Sequence, residues 1–204
     1  MSQLKSTNYT GFKTEKIFPS DSHDIIKKFM TSLSEKNHFN EYEKKLLNEN
    51  YKKILSVEDE ILGKLGKFKK IKFELLHRDL HPHNIILNKS NVYLLDVDSI
   101  MLTKWPIAVG FAVFKLLRQF CVRNIVDNHN IDHMHNFIHS INKFGNTKDV
   151  YYKDLFLGAK IEILRRILVI MRGNLGENVS PWNPVLEIQI RSLSELEYLE
   201  KKLT

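Results

Sequence analysis

One short segment, residues 77–98, holds the side chains whose types and spacing could do chemistry. Asp79 can accept a proton from an attacking hydroxyl group. Asn84 follows five residues later and Asp96 twelve residues after that. Their side-chain oxygens are hard ligands, suited to Mg²⁺ on the phosphates of a nucleotide. Because phosphoryl transfer to a hydroxyl needs such a base and such a metal site, the segment predicts that reaction.

The residues between Asn84 and Asp96 predict that the two come together in space. Two short β-type runs, Ile85–Leu87 and Val92–Leu95, are separated by the sequence Asn-Lys-Ser-Asn, which is typical of a turn. A hairpin at this place would fold the chain back on itself. We therefore expect Asn84 to lie beside Asp96.

The same segment resembles the catalytic loop and metal-binding segment of the aminoglycoside phosphotransferase, choline kinase and homoserine kinase superfamily. The pattern of that superfamily is H-x-D-L-H-P-x-N-I-L, then a short hairpin, then L-I-D-x-D. The chain has HRDLHPHNIIL at 77–87 and LLDVD at 94–98. The resemblance extends over roughly residues 20–203. It implies the C-terminal lobe of a protein-kinase-like fold, with a catalytic loop at 77–84 and a metal-binding segment at 94–98.

The resemblance also implies roles for individual residues. Asp79 matches the catalytic base, and His81 is a second catalytic candidate that could approach the transferred phosphoryl group. Asn84 and Asp96 match the ligands of Mg²⁺. The cofactor-binding residues would be the apolar Ile86, which matches the floor under the adenine, and Leu95. His77 matches a histidine that braces the loop, and Asp98 would support the metal site or bind a polar group of the substrate.

Complete members of this superfamily begin with a small, mostly β lobe. It supplies a loop over the phosphates and a strand lysine that holds the α- and β-phosphates. Neither is recognisable here, because Gly63 and Gly66 lie in a helical pattern and Lys13 and Lys16 have no marking context. We therefore expect a large lobe alone, residues 20–204, preceded by a partly mobile segment at 1–19.

The expected function is a Mg²⁺- and nucleotide-dependent phosphotransferase, with ATP or GTP as co-substrate and a small-molecule hydroxyl as acceptor. The alternative is a catalytically impaired, kinase-like binding module, or a chain that needs a separate N-terminal lobe or a second copy over an exposed apolar face. A minor alternative is a zinc hydrolase, which would use the histidines crowded around Asp79, namely His77, His81 and His83 together with Asp96 and Asp98. A second histidine cluster, with members at 129, 133, 135 and 139, is more typical of a solvated helix face.

Composition narrows the class of protein. The chain has 204 residues, 43% of them hydrophobic, and a net charge of +7, which is typical of one globular domain with affinity for anions. The basic run Lys64–Lys72 lacks the interleaved aromatics of a nucleic-acid site and is expected to be a solvated helix end. The single cysteine, Cys121, lies in an apolar helical stretch and is expected to be buried. No secretory signal or membrane span is apparent, so the expected location is the cytoplasm.

The remaining periodicity predicts a mainly α protein with one small β-hairpin, an α+β class. Helices are expected at about 20–35, 40–55, from Ser56 onward, 103–121, 131–144, 150–172 and 185–202, with a strand at 73–76. The apolar stripe of the last helix is expected to belong to the core rather than to a partner-binding surface; its members are Leu186, Ile190, Leu193, Leu196 and Leu203.

Overall fold

The computed structural model describes residues 16–122, 132, 135–136, 139–140, 152–176 and 179–203. Within these ranges five helices surround two small antiparallel sheets. The helices are α1 (Ser22–Ser32), α2 (Glu41–Lys69), α3 (Trp105–Val122), α4 (Tyr152–Gly173) and α5 (Leu186–Leu203). The strands are β1 (Glu74–His77), β2 (Ile85–Asn88), β3 (Asn91–Leu94) and β4 (Ile100–Thr103). The mainly α class predicted from the sequence is confirmed.

Helix α2 is longer than its sequence pattern predicts. It begins with a reciprocal cap, in which Asn40 accepts a hydrogen bond from the Glu43 backbone and the Glu43 side chain accepts one from the Asn40 backbone, both at 2.9 Å. The predicted start of a third helix at Ser56 is wrong. Four buried side chains, Leu47, Ile54, Ile61 and Phe68, recur every seven residues along one side of the helix. Because this stripe continues past Ser56, a helix that also continues buries more apolar surface than one that ends there.

The core is built around α4, whose residues from Leu155 to Met171 are almost all buried. Helix α3 crosses α4 at two glycines, where the backbones touch. A Cβ atom on Gly158 would overlap the carbonyl oxygen of Pro106, and one on Gly110 would overlap that of Leu155. The apolar stripe predicted for the last helix is buried in α5, so its assignment to the core is confirmed.

The two sheets carry the catalytic segment. Strand β2 pairs with β3 as the predicted hairpin, with Ile85 opposite Leu94 and Asn88 opposite Asn91. Lys89 begins the turn with a left-handed φ of 52°. Strand β1 pairs with β4, with His77 opposite Ile100, and this second sheet was not predicted. The catalytic loop therefore leaves one small sheet and enters the other.

Several sequence predictions fall outside the described residues. They are the helix at 131–144 for most of its length, His129 and His133, the side chain of Cys121, and all but the end of the segment 1–19. His135 and His139 are described, and both are exposed. The lysines of the run Lys64–Lys72 are exposed at the end of α2, as predicted. Among the helices that can be described, none is both long and apolar enough to cross a membrane.

Candidate functional site

The catalytic loop is held in shape by its own hydrogen bonds. His77 donates through Nε2 to the Leu95 carbonyl oxygen at 2.9 Å, which links the start of the loop to the end of the hairpin. The amide nitrogen of the Asn84 side chain donates to the Asp79 carbonyl oxygen at 2.9 Å. The backbone nitrogen of Asn84 donates to His81 at 2.9 Å. These bonds fix the loop between Asp79 and Asn84, and they give His77 the bracing position expected for it.

The hairpin places Asn84 next to Asp96, as the sequence predicted. The Leu95 backbone nitrogen donates to the Asn84 carbonyl oxygen at 2.9 Å, so the ladder continues one pair beyond β2 and β3. Asp96 follows with a left-handed φ of 54°, a conformation that aspartate tolerates better than most residues. Ser99 holds one carboxylate oxygen of Asp96 by a hydrogen bond of 2.6 Å.

Asn84 and Asp96 both carry the kind of oxygen donor that Mg²⁺ prefers. The amide nitrogen of Asn84 is occupied by the loop, which leaves its oxygen to face a cation. One oxygen of Asp96 accepts from Ser99, and Asp96 as a whole is exposed. Two hard oxygen donors at the surface match the few protein ligands that Mg²⁺ uses when phosphates and waters complete its shell.

Asp79 lies at the centre of an ion-pair cluster that the sequence did not predict. Its Oδ1 accepts hydrogen bonds from Lys115 Nζ at 2.7 Å and from Arg166 Nη2 at 3.1 Å. Burial raises the pKa of Asp79, but the hydrogen bond from Lys115 and the charges of Arg166 and Lys115 outweigh it and hold this pKa below the ordinary value. The other oxygen, Oδ2, lies 3.8 Å from His81 Nε2, beyond hydrogen-bond distance, and is therefore the atom that can receive a hydroxyl group.

A buried carboxylate, Glu162 on α4, anchors the arginines around this cluster. Its side chain is 0% exposed. Arg78 of the catalytic loop binds it with two bonds, Nε to Oε2 at 2.9 Å and Nη2 to Oε1 at 3.0 Å. Arg166 donates to Oε1 at 2.8 Å, and Arg165 lies 3.5 Å from Oε2. Glu162 thereby fixes Arg166 against Asp79 and ties the catalytic loop to the core helix.

His81 is close to the same cluster and is largely uncharged at neutral pH. Burial lowers its pKa, and the positive charge of Lys115 lowers it further, against the opposing effect of Asp79. A neutral imidazole beside Oδ2 of Asp79 can donate or accept one hydrogen bond. The expected approach of His81 to a transferred phosphoryl group stays a prediction.

The two faces of the hairpin differ in what they contact. Ile86 and Tyr93 are partners in the register, and Leu95 lies two residues beyond Tyr93 on the same face. These three side chains are 47%, 49% and 42% exposed, respectively. On the opposite face, Ile85 borders a largely apolar cavity of about 450 Å³ that is also lined by His77, His81 and residues of α3, whereas Leu87, Val92 and Leu94 are 74%, 63% and 46% exposed. Both faces of the hairpin are therefore largely open to solvent, and the face with Ile86 and Leu95 offers an apolar surface that a flat base could contact.

The zinc alternative finds no support in the described geometry. Within that part of the chain, no group of three or more His, Cys, Asp or Glu side chains converges as a metal site. Asp98 is exposed in a short 3₁₀ turn at 97–99, and His81 and His83 contact each other edge to face. Among the described residues, Asp98 makes no hydrogen bond to Asn84 or to Asp96.

Comparison with known proteins bears on the fold. No family model matches the chain, and no curated protein matches it. The structure is similar to that of spectinomycin phosphotransferase, APH(9)-Ia, solved in complex with ADP and spectinomycin, with a TM-score of 0.58 and 19% identity. The match covers 90% of this chain and 53% of that one, so the chain spans about half the length of its neighbour. The chain therefore has a kinase-like fold of the kind found in that phosphotransferase.

Proposed function

We propose that the chain is a Mg²⁺- and nucleotide-dependent phosphotransferase of the aminoglycoside phosphotransferase superfamily, acting on a hydroxyl group of a small molecule. One observation carries the proposal: the loop leaves Oδ2 of Asp79 without a described hydrogen bond, while the hairpin pairs Asn84 with Leu95, the residue before Asp96. A base for a hydroxyl and a site for a phosphate-bound cation thus lie on one continuous segment.

In the proposed reaction, the acceptor oxygen forms a new bond to the γ-phosphorus of ATP or GTP, and the bond from that phosphorus to the β–γ bridging oxygen breaks. The acceptor proton passes to Asp79 Oδ2, and the nucleoside diphosphate leaves. Asn84 and Asp96 would hold Mg²⁺, which when bound neutralises charge on the phosphates. Ile86 and Leu95 would contact the base of the nucleotide, and His77 would keep the loop in place.

The lowered pKa of Asp79 is compatible with this role. Phosphoryl transfer passes through a loose transition state, so the base mainly orients the hydroxyl group and takes its proton late. Lys115 and Arg166 hold the carboxylate by Oδ1 and thereby fix the direction of Oδ2. Positioning is accordingly the main contribution expected from the protein.

A second candidate is a kinase-like binding protein without transfer activity. It is favoured by one observation: in the described residues ahead of β1 the chain forms helices, and none of them supplies a strand lysine for the α- and β-phosphates. Such a protein would bind Mg²⁺–nucleotide without turning it over.

The test is phosphorus NMR of the purified chain with Mg²⁺–ATP and a panel of small hydroxyl compounds. We expect wild type to form ADP and a new phosphate ester, and Asp79→Asn to lose about 10²–10⁴-fold of that rate while keeping its melting temperature within a few degrees. Asp59→Asn, an exposed change on α2, is the matched control. An Asp79→Asn variant that transfers at the wild-type rate would disprove the role of Asp79. Nucleotide binding without any product would favour the binding protein.

A further inference from the structure

Two cations from different helices converge on the carboxylate that the proposed reaction uses. Lys115 on α3 and Arg166 on α4 both bind Oδ1 of Asp79. Both also lie over the ring of Phe111, with Lys115 Nζ at 4.9 Å and Arg166 Cζ at 4.5 Å from its centroid. Their side chains remain 26% and 30% exposed. The pair is therefore held firmly in place and is still reachable from solvent.

The surroundings of Asp79 keep an excess of positive charge. One carboxylate cannot neutralise both Lys115 and Arg166, and the second partner of Arg166, Glu162, is already bound by Nε and Nη2 of Arg78. Burial and, to a smaller extent, the charge of Arg166 beside it lower the pKa of Arg165 to about 10. Because these positive charges repel one another, the binding of an external anion between them is favoured.

Arg166 also borders a small cavity, which Asp79 and Lys115 do not line. This cavity of about 150 Å³ lies between α4 and the start of α5, and three arginines, Arg78, Arg165 and Arg166, line it together with Trp182, Gln189 and the apolar Val169, Ile170 and Val185. Its volume suits a carboxylate or phosphate group with a few carbon atoms, because one water molecule takes about 30 Å³. The fork of a guanidinium group matches the planar oxygens of such an anion.

We propose that Lys115 and Arg166 form an anion subsite for the acceptor, so that the substrate carries a carboxylate or phosphate group close to the hydroxyl that is phosphorylated. The inference rests on the proposed function, because it takes Asp79 as the residue that receives the hydroxyl. With the hydroxyl at Oδ2, the anionic group of the acceptor lies beside Oδ1 and shares the two cations there. An acceptor with an ammonium group at the same place is repelled by them.

A matched set of three-carbon compounds tests this subsite by calorimetry on the full chain. The probes are D-glycerate and glycerol 3-phosphate, which are anionic, glycerol, which is neutral, and 3-aminopropane-1,2-diol, which is cationic. Each is titrated into protein saturated with Mg²⁺ and a non-hydrolysable ATP analogue, so that the place of the γ-phosphate is already filled. We expect both anions to bind at least about tenfold more tightly than the other two probes, and more weakly as salt is added.

Variants assign the preference to the two residues. Lys115→Met and Arg166→Gln should each lower the affinity for the anions about tenfold more than the affinity for glycerol, so that the preference for an anion shrinks even though both variants also loosen Asp79. Lys45→Met and Arg191→Gln, at exposed positions on α2 and α5, serve as matched controls. Lys115→Arg keeps the charge and should retain most of the preference. If a thermal melt shows that a variant does not fold, the order of the probe affinities in the wild-type protein still tests the anion subsite.

The outcomes separate the inference from the proposed function. Equal affinity for anionic and cationic probes would overturn the anion subsite and leave the phosphotransferase proposal standing. Anion binding that disappears when the ATP analogue is present would assign Lys115 and Arg166 to the nucleotide phosphates, and the acceptor subsite would be wrong. Failure of the ATP analogue itself to bind would overturn the proposed function, and the inference with it.

Discussion

Replacing a glycine by alanine is expected to destabilise the protein at Gly158, where α3 crosses α4, and to stabilise it at Gly63 on α2. Gly158 faces α3 so closely that an added Cβ would overlap the carbonyl oxygen of Pro106 and lie 3.0 Å from the backbone nitrogen of Ile107. Both of these are backbone atoms and cannot turn aside as a side chain can. Gly63 lies inside α2 on an exposed face, and nothing is within 4 Å of the place of its Cβ.

The expected changes in the free energy of unfolding follow from these two environments. Alanine stabilises a helix interior over glycine by about 1 kcal/mol, which is all that Gly63→Ala should show. Gly158→Ala gains the same but must part the two backbones by roughly 1 Å, an overpacking that costs about 1–3 kcal/mol or more. At about 2–4 °C per kcal/mol for a chain of this size, Gly63→Ala should raise the melting temperature by about 2–4 °C. Gly158→Ala should lower it by up to about 8 °C.

Thermal melts followed by circular dichroism measure both variants, and Gly66→Ala provides a second open position. Parting α3 from α4 also moves Lys115 relative to Arg166, so Gly158→Ala should weaken anion binding at Asp79 while Gly63→Ala does not. A Gly158→Ala protein as stable as Gly63→Ala would refute the close crossing of the two helices.

Four further expectations concern other parts of the molecule and its ligands. Glu162→Gln leaves the arginines around a neutral amide in place of a buried carboxylate, and should cost about 3–5 kcal/mol in denaturant unfolding, whereas Glu49→Gln, in an exposed pair with Lys45, should cost under about 1 kcal/mol. Lys160→Met removes one partner of Glu60, which also binds Lys64, and one partner of Glu200. Burial opposes both charged forms, yet the ion pairs keep the pKa of Glu60 below its ordinary 4.5 and that of Lys160 above its ordinary 10.5. The stability lost in Lys160→Met should therefore be greatest between those two pH values and shrink as acid protonates Glu60 or as base neutralises Lys160; a loss that does not vary with pH would contradict this pairing. Activity should need Mg²⁺ or Mn²⁺, and calorimetry should find weak binding of Mg²⁺–ATP because no described strand holds a phosphate-binding lysine; stoichiometric zinc retained through dialysis, or a submicromolar dissociation constant for ATP, would count against these two expectations.

The parts of the site that depend on residues close together in the sequence could be predicted from it. Turn residues between two β-type runs were enough to predict the hairpin, and the hairpin was enough to bring Asn84 beside Asp96. Helix lengths were less certain, because Ser56 has the residue type of a cap and only the stripe of buried side chains shows that α2 continues through it.

The ion pairs around Asp79 could not be predicted in the same way. Lys115 and Arg166 lie 36 and 87 residues further along the chain, and no local pattern says which surface their helices present to the loop. A signal was present, since Lys115 interrupts an otherwise apolar stretch and Glu162 stands within the apolar run of α4. Charged residues in such places are costly unless they are paired. Their partners, however, are decided by how the helices pack.

The exposure of the hairpin affects where local unfolding of the molecule is easiest. All four residues of β3 and three of the four in β2 are exposed, whereas α4 is enclosed by the core. Segments that bury little apolar surface open locally at a small free-energy cost, and their amide hydrogens exchange quickly with solvent. Among the described elements, the surface proposed for the nucleotide base thus belongs to one with little protection, while the proposed acceptor side rests on the buried helix α4. A bound nucleotide would slow hydrogen exchange in the hairpin far more than in the helices beneath Asp79.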